Sequence, residues 1–237
     1  MNLALWTIGA LASFCILAIG ARELSGVLAI SQSLCIRSAI GLVFLSIIFL
    51  FQRALTSNPL IEREKLTGTI EMAEPKRLFK GLPLHILRNV VHYSAQYGWF
   101  FGIGLLPLAE VFALEFTVPI WTLLIAALFL GEKITPTKLL SITLGIIGVV
   151  IIVKPGHDIM SLASFIVLGS AICFAISHTV TKALSVKHSA FTILMYMCAL
   201  QFPIGLYLSY QDWVWPNAEQ WSWLIVIGIS ALSAHFC

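Results

Sequence analysis

The chain has 237 residues, of which 59% are hydrophobic and 11% are charged, whereas a soluble domain carries roughly 25% charged residues. Its formal net charge of +3 is small and its basic residues are scattered, which excludes a nucleic-acid-binding surface. The apolar content excludes a disordered chain. Ten of the charged residues lie between positions 53 and 80, so the rest of the chain is nearly uncharged. This distribution predicts an all-α polytopic membrane protein.

Long segments without Asp, Glu, Lys or Arg predict eight membrane-spanning helices. A helix needs about 20 mostly apolar residues to cross the hydrocarbon core, and the shorter segments reach this length with their flanks. Strands are excluded because runs such as "SIIFLF" are apolar at consecutive positions. The predicted spans are 3–21, 27–51, 84–105, 108–130, 137–154, 160–182, 190–210 and 219–237.

The basic residues in the connections predict the orientation, because Lys and Arg are retained on the cytoplasmic side. The connections after spans two, four and six contain ten basic residues, and the other connections contain two. The N-terminus is therefore predicted to be cytoplasmic. The connection at about 53–80 is predicted to be a solvated cytoplasmic loop.

Catalytic and metal-binding motifs are not found in the sequence. The five cysteines form no CxxC pair, the six histidines form no HExxH motif, and neither a GxSxG elbow nor a Gly-rich phosphate loop is present. We therefore expect no metal, no cofactor and no enzymatic activity. The alternative of an integral-membrane enzyme would require a reactive constellation that the sequence does not contain.

Polar residues within the spans are the best functional candidates, because an ionisable group in the hydrocarbon core is costly and is usually retained for function. Arg37 and Glu115 lie at similar predicted depths, which allows either a buried ion pair that only fixes helix register or a role in binding substrate or carrying a proton. His92 and Gln96 are four residues apart on one face of the third span. Arg88 lies near the end of that span and is predicted to snorkel to the lipid head groups.

Backbone features modify the fourth and fifth spans. Pro119 lacks the N–H that would bond to the carbonyl of Glu115, so the helix is predicted to kink there. Small residues at Gly98 and Gly102, and at Gly145 and Gly148, predict close helix packing. His178 and His235 are predicted to serve packing alone.

The segment from Leu106 to Gly156 resembles the fourth and fifth helices of EamA-type permeases of the drug/metabolite transporter superfamily. Arg37 and Arg88 also match arginines near the start of the second and third helices in that family. The residues that support the match within the segment are Ala109, Glu110, Pro119, Gly131, Glu132, Thr135, Gly145, Gly148, Pro155 and Gly156.

The resemblance implies a bacterial inner-membrane transporter of small organic metabolites, such as amino acids, vitamins, nucleosides or drug-like solutes. It implies ten helices in two inverted five-helix repeats that alternate access to a central cavity. Here residues 1–156 correspond to one repeat, and residues 157–237 correspond to three helices of the second. The pentapeptides "SAQYG" at 94–98 and "SAHFC" at 233–237 align between the repeats, so we expect a chain truncated after the eighth helix.

The predicted substrate site combines these polar residues. Arg37 would bind an anionic group of the substrate, and Glu115 would carry a coupling proton or bind a cation. His92 and Gln96 would supply hydrogen bonds, and the aromatic residues Tyr93 and Trp121 would form apolar walls. The structural residues expected from the resemblance are Pro119, Gly131, Glu132, Gly145 and Gly148.

An alternative interpretation is an inactive permease fragment, because the cavity of an inverted-repeat carrier is walled by helices from both repeats. On this basis we expect no transport by residues 1–237 alone. A homodimer could supply the missing wall, although eight helices do not divide into the required repeats.

Overall fold

The computed structural model describes residues 3–56, 81–153 and 161–236, and the regular structure within these ranges is entirely α-helical. Most of the predicted cytoplasmic loop, at 57–80, lies outside the described residues. The helical segments are α1 (Leu3–Glu23), α2 (Ile30–Thr56), α3 (Leu82–Leu105), α4 (Leu108–Glu115), α5 (Val118–Leu130), α6 (Pro136–Val153), α7 (Leu162–Ser185), α8 (Ala190–Ser209) and α9 (Ala218–Phe236).

Each predicted span coincides with a helix, with α4 and α5 sharing the span at 108–130. Within the described ranges, five helical stretches are long and apolar enough to cross a membrane, at 5–23, 30–54, 108–130, 162–185 and 190–209. α6 is apolar but shorter. The predicted all-α polytopic fold is confirmed.

The kink predicted at Pro119 corresponds to a two-residue turn, at 116–117, between α4 and α5. α4 ends at Glu115, and the Thr117 hydroxyl donates to the carbonyl of Leu114 at 2.7 Å. α5 begins at Val118 with Pro119 in its first turn, where proline's missing N–H leaves no helical hydrogen bond unmade. Glu115 therefore lies at the end of a helix within a membrane-spanning stretch.

Serine and glycine define other helix ends. Ser161 and Ser189 accept backbone N–H bonds at 3.2 Å from Ser164 and Thr192, which cap α7 and α8. Gly131 follows α5 with a φ of 66°, a left-handed conformation that favours glycine at a helix C-terminus. The predicted structural role of Gly131 thus has a local physical reason.

Three long helix pairs build the core. α3 packs along α7, α2 packs along α8, and α1 packs along α9. These pairs are symmetric. If α1 is exchanged with α7, α2 with α8 and α3 with α9, the same three pairs result. The centre of the bundle is formed by fully buried apolar side chains, including Leu34, Ile103, Val167, Leu224 and Ile227.

Close packing occurs at one of the two predicted glycine pairs. A Cβ at Gly98 would lie 2.2 Å from Ser170 Oγ, and a Cβ at Gly102 would lie 2.1 Å from Val167 Cγ2, both on α7. The expectation for Gly145 and Gly148 stays a prediction: among the described residues, no atom beyond their own helix lies within 4 Å of a Cβ at either position. This part of α6 has no packing partner in the described part of the chain.

Candidate functional site

A cavity of about 750 Å³ opens between helices of both halves of the chain. This volume is within the usual range for small-molecule sites. Its apolar lining is rich in aromatic rings, from Phe14, Trp99, Phe100, Phe112, Phe116 and Phe174. Its polar and charged lining comes from Arg37, Gln96, Glu115, Glu132, Lys138, His178, Lys182 and His235, among others.

Arg37 projects from α2 to the centre of the bundle and has only 5% of its surface exposed. Its Nη2 donates to Gln96 Oε1 on α3 at 2.6 Å and to Gln201 Oε1 on α8 at 3.1 Å. Both partners are neutral amides. Within the described residues, the guanidinium therefore has hydrogen bonds but no carboxylate beside it.

Glu115 lines the same cavity but does not pair with Arg37. Its Oε2 accepts a hydrogen bond from the indole N–H of Trp99 at 2.8 Å. The possibility of a buried Arg37–Glu115 ion pair, which similar depths in the membrane had left open, is therefore wrong. Depth along two helices does not determine lateral direction, and the Glu115 carboxylate contacts Trp99 on α3 instead.

His92 is fully buried behind the cavity wall. One ring nitrogen, Nε2, lies 2.8 Å from Gln96 Nε2, and the other, Nδ1, lies 3.1 Å from Ser177 Oγ on α7. His92 thus connects two helices and does not belong to the cavity lining, whereas Gln96 does. The two predicted hydrogen-bonding residues occupy successive positions in one network that reaches Arg37.

The predicted aromatic walls lie elsewhere. Tyr93 is 4% exposed and Trp121 is partly buried, and neither belongs to the cavity lining. Arg88 is 3% exposed and donates to Thr181 Oγ1 at 3.1 Å and to Asn89 Oδ1 at 2.8 Å. The predicted snorkelling of Arg88 is therefore wrong, because side chains of α3 and α7 satisfy its guanidinium inside the bundle.

Several cavity residues escape sequence reasoning. No pattern in the sequence singles out Trp99, and His178 and His235 are predicted to serve packing alone, yet all three line the cavity. A signal for His235 was present in the repeat alignment, where "SAHFC" places it opposite Gln96 of "SAQYG". A polar residue is thus a better candidate for the cavity lining when the equivalent position of the other repeat is also polar.

Charged residues lie at the end of the cavity nearest the α5–α6 connection. Glu132 accepts from Lys182 and, at 3.0 Å, from Lys138. These two hydrogen bonds lower the pKa of the Glu132 carboxyl. The contact joins the α5–α6 connection to the last turn of α7, which gives the predicted structural residue Glu132 a definite role at the cavity mouth.

The crossing of α2 and α8 is symmetric about Arg37 and Gln201. On one side, a Cβ at Gly41 would lie 2.6 Å from Cys198 Sγ, and on the other, a Cβ at Gly205 would lie 2.9 Å from Cys35 Cβ. A shift of 164 residues places Arg37 on Gln201 and Gly41 on Gly205. The same shift places Cys198 on Leu34, one residue from Cys35, so the two helices exchange similar contacts around one polar pair.

Comparison with known proteins identifies the family. The model of the EamA-like transporter family matches residues 1–154. The riboflavin transporter of Brucella anthropi is 34% identical over 160 residues, which cover 65% of this chain and 56% of that protein. The S-adenosylmethionine uptake transporter of Rickettsia felis is 26% identical over 62% of this chain and 50% of that protein.

A third relative is the pseudopaline exporter CntI of Pseudomonas aeruginosa, 28% identical over 65% of this chain and 55% of the relative. The matched part of the chain thus spans about half the length of these curated relatives. One crystal structure superposes with a TM-score of 0.66 at 13% identity, covering 99% of this chain and 79% of the other. That likeness shows the fold alone. The family match includes both halves of the α4–α5 break, and the chain belongs to the EamA-like transporter family.

Proposed function

We propose that this chain forms a membrane transporter of small organic solutes, which bind in the cavity between its two sets of helices. The observation that carries the proposal is a buried cation, Arg37, and a carboxylate, Glu115, that line one cavity without pairing with each other. A buried charge is costly without an opposite charge. A bound solute or a coupling ion supplies the opposite charge that each group lacks.

Arg37 binds the anionic part of the solute, and Glu115 carries a coupling proton or faces a cationic group. Gln96 supplies a hydrogen-bonding amide to the same space, while the aromatic lining receives the apolar body of the solute. Relatives are named for riboflavin, S-adenosylmethionine and pseudopaline. The difference between these three solutes favours a shared fold in which the residues that line the cavity determine which solute binds.

Alternating access in this proposal follows from the helix pairing. α1, α2 and α3 pack on α9, α8 and α7, in the order expected for two repeats at 1–156 and 157–237 that are related by a twofold axis. The Glu132 contact with Lys182 holds this end of the cavity in its present state, and it breaks when the repeats rock. The protein lies in the inner membrane of a bacterial cell, with its N-terminus in the cytoplasm.

A topology experiment tests the orientation. A reporter active only in the cytoplasm is fused within 57–80 and, in a second version, after Trp215. We expect activity from the first fusion and silence from the second. The opposite pattern would reverse the orientation and assign the Glu132 end of the cavity to the outer side.

Solute flux tests the function. Vesicles that contain the chain are assayed with riboflavin, S-adenosylmethionine, amino acids and nucleosides, with and without a proton gradient. Saturable flux that is lost in Glu115→Gln supports the proposal.

A permease chain without transport of its own is the second candidate. It is favoured by the surface of α6 around Gly145 and Gly148, which no other described part of the chain covers. Absence of flux for every solute in the panel, with normal membrane insertion, would decide for this candidate. A homodimer that covers this surface would instead give flux from the chain alone.

A further inference from the structure

The end of the bundle opposite the mouth is formed by the starts of α2, α4 and α7 and by the α8–α9 connection at 210–217. None of the described residues at these positions lines the cavity. The helix turns between this end and the cavity contribute buried apolar side chains to one core cluster, including Leu28, Ile103, Val111, Val167 and Leu224. At the mouth, by contrast, the cavity reaches Lys138 and Lys182, whose side chains are 43% and 63% exposed. The cavity is thus accessible at the mouth and closed at the opposite end, which we call the closed end.

Gln32 lies at the closed end, in the first turn of α2, and is fully buried. Its Nε2 donates to the carbonyl oxygen of Val214, and its Oε1 accepts from the backbone N–H of Val214 at 3.3 Å. Because a backbone N–H can only donate, it fixes which atom of the side-chain amide is the oxygen. Both polar groups of Gln32 therefore pair with both backbone groups of Val214, and the contact joins the first repeat to the second.

A second polar contact joins the repeats at the same end. Glu110 Oε1 accepts a hydrogen bond from Ser164 Oγ at 2.8 Å. Glu110 lies in the first turn of α4 and Ser164 in the first turn of α7, so each repeat contributes one side chain. Ser164 is 1% exposed. The closed end is thus held by two contacts between the repeats, in addition to its apolar core.

The Gln32–Val214 contact is chemically suited to repeated opening. Both partners are neutral, and each of the four donor and acceptor groups can bond to water once the end is hydrated. The exchange of a neutral hydrogen bond for bonds to water changes the free energy only slightly. The pair can therefore stabilise the closed end without preventing its opening.

Resting on the proposed function, we propose that Gln32 and Val214 form the latch of a second gate, which opens the cavity at the closed end when the repeats rock. The Glu110–Ser164 contact belongs to the same gate. Rocking opens one end of an inverted-repeat carrier as it closes the other. The latch and the Glu132–Lys182 contact at the mouth are present together in this structure, so both stabilise the same state. Loss of either contact favours opening of the closed end.

The first test measures this opening by the reactivity of a buried thiol. Leu224→Cys is introduced into a chain without other cysteines, and its reaction with a water-soluble methanethiosulfonate is followed in lipid nanodiscs. Leu224 is fully buried, so the rate reports the population of the open form. Gln32→Met keeps the side-chain length but cannot pair with Val214, and it should raise the rate about tenfold, as expected for two neutral hydrogen bonds. Gln211→Met, the same change at an exposed residue of the same connection, should leave the rate unchanged.

The second test separates a gate from a local structural contact. Glu132→Gln weakens the contact at the mouth, at the other end of the cavity. It should also raise the rate at Leu224→Cys, by less than Gln32→Met does. Lys133→Gln, which removes a neighbouring exposed charge, should have no effect. A rate that does not respond to Glu132→Gln would overturn the gate, because the two ends would then open independently.

General loosening of the protein is measured at a second buried position. Leu194 is 3% exposed and belongs to the separate core cluster of α8 with Leu45 and Leu232. The thiol of Leu194→Cys should react as slowly with Gln32→Met as without it. Equal acceleration at Leu194→Cys and Leu224→Cys would show loosening of the whole bundle and overturn the gate. An unchanged rate at Leu224→Cys in Gln32→Met would also overturn it.

Solute flux in vesicles distinguishes the failure of the gate from the failure of the proposed function. If a solute is transported and the thiol rates do not respond to Gln32→Met, the proposed function stands without this gate. If the thiol rates respond as expected and no solute is transported, the gate stands and the proposed function fails.

Discussion

Two glycine pairs divide the molecule into regions with different packing. Gly98 and Gly102 lie against α7 so closely that a Cβ would approach Ser170 and Val167 to about 2 Å. Gly145 and Gly148 on α6 meet no described atom beyond their own helix within 4 Å. The small-residue pattern is similar in both, so it indicates that a close approach is allowed. Only the partner helix decides whether the approach occurs.

The distribution of polar groups follows the same division. In the region of paired helices, Arg37, Arg88 and His92 are buried and hydrogen-bonded across helix boundaries. In the α5–α6 region, the charges of Glu132 and Lys138 lie at the connection, and the helix faces are largely exposed and apolar. The paired region fixes the geometry of the cavity, and the α5–α6 region supplies its outer wall and mouth.

Substitutions at the two glycine pairs should give the largest contrast. Gly102→Ala should lower the free energy of unfolding by about 1–3 kcal/mol, because its Cβ would overlap the β-branched Val167. Gly148→Ala should be neutral, or stabilising by up to about 1 kcal/mol through helix propensity. Unfolding of each variant in the same detergent measures the difference. Equal destabilisation would show that α6 is also covered.

The Trp99–Glu115 contact joins α3 of the paired region to the end of α4, and a double-mutant cycle measures it. Trp99→Phe removes the indole N–H donor at 2.8 Å from the carboxylate and should cost about 1–2 kcal/mol. The same change in a Glu115→Gln background should cost less, because the charge that strengthens the bond is gone. Additive effects of the two substitutions on unfolding would contradict a direct contact.

The mouth of the cavity should respond to pH through Glu132. Lys182 and Lys138 lower the pKa of this carboxyl in the folded protein, so the contact stabilises the mouth above the usual pKa of a glutamate. It is lost as the pH falls through the lowered value. Spin labels at Ile134 and Ser185 in a cysteine-free background should give a broader distance distribution in acid. Glu132→Gln should broaden the distribution at every pH. An unchanged distribution would show that this contact does not hold the mouth of the cavity.

Much of the fold could be predicted from the sequence, because the bilayer imposes length and polarity on each span. The positions of the helices in all eight predicted stretches, and the turn just before Pro119, follow from local rules that need no partner. Three features could not be predicted from the sequence: whether Arg37 pairs with Glu115, whether Arg88 is exposed, and what packs against Gly145. Each depends on which helix faces the residue. No pattern in the sequence singles out Gln201, which the crossing of α2 and α8 places against Arg37.

Solute binding by four versions of the protein tests the central claim, that Arg37 and Glu115 act separately on a solute. The unmodified chain, Arg37→Gln, Glu115→Gln and the double variant are compared for saturable binding of riboflavin, S-adenosylmethionine and a set of amino acids in nanodiscs. We expect at least one of these solutes to bind to the unmodified chain, each single variant to weaken its binding, and the double variant to be at least as impaired as either. Two results would contradict the account. One is wild-type affinity in the double variant, as a purely structural pair would give, and the other is no binding by the unmodified chain.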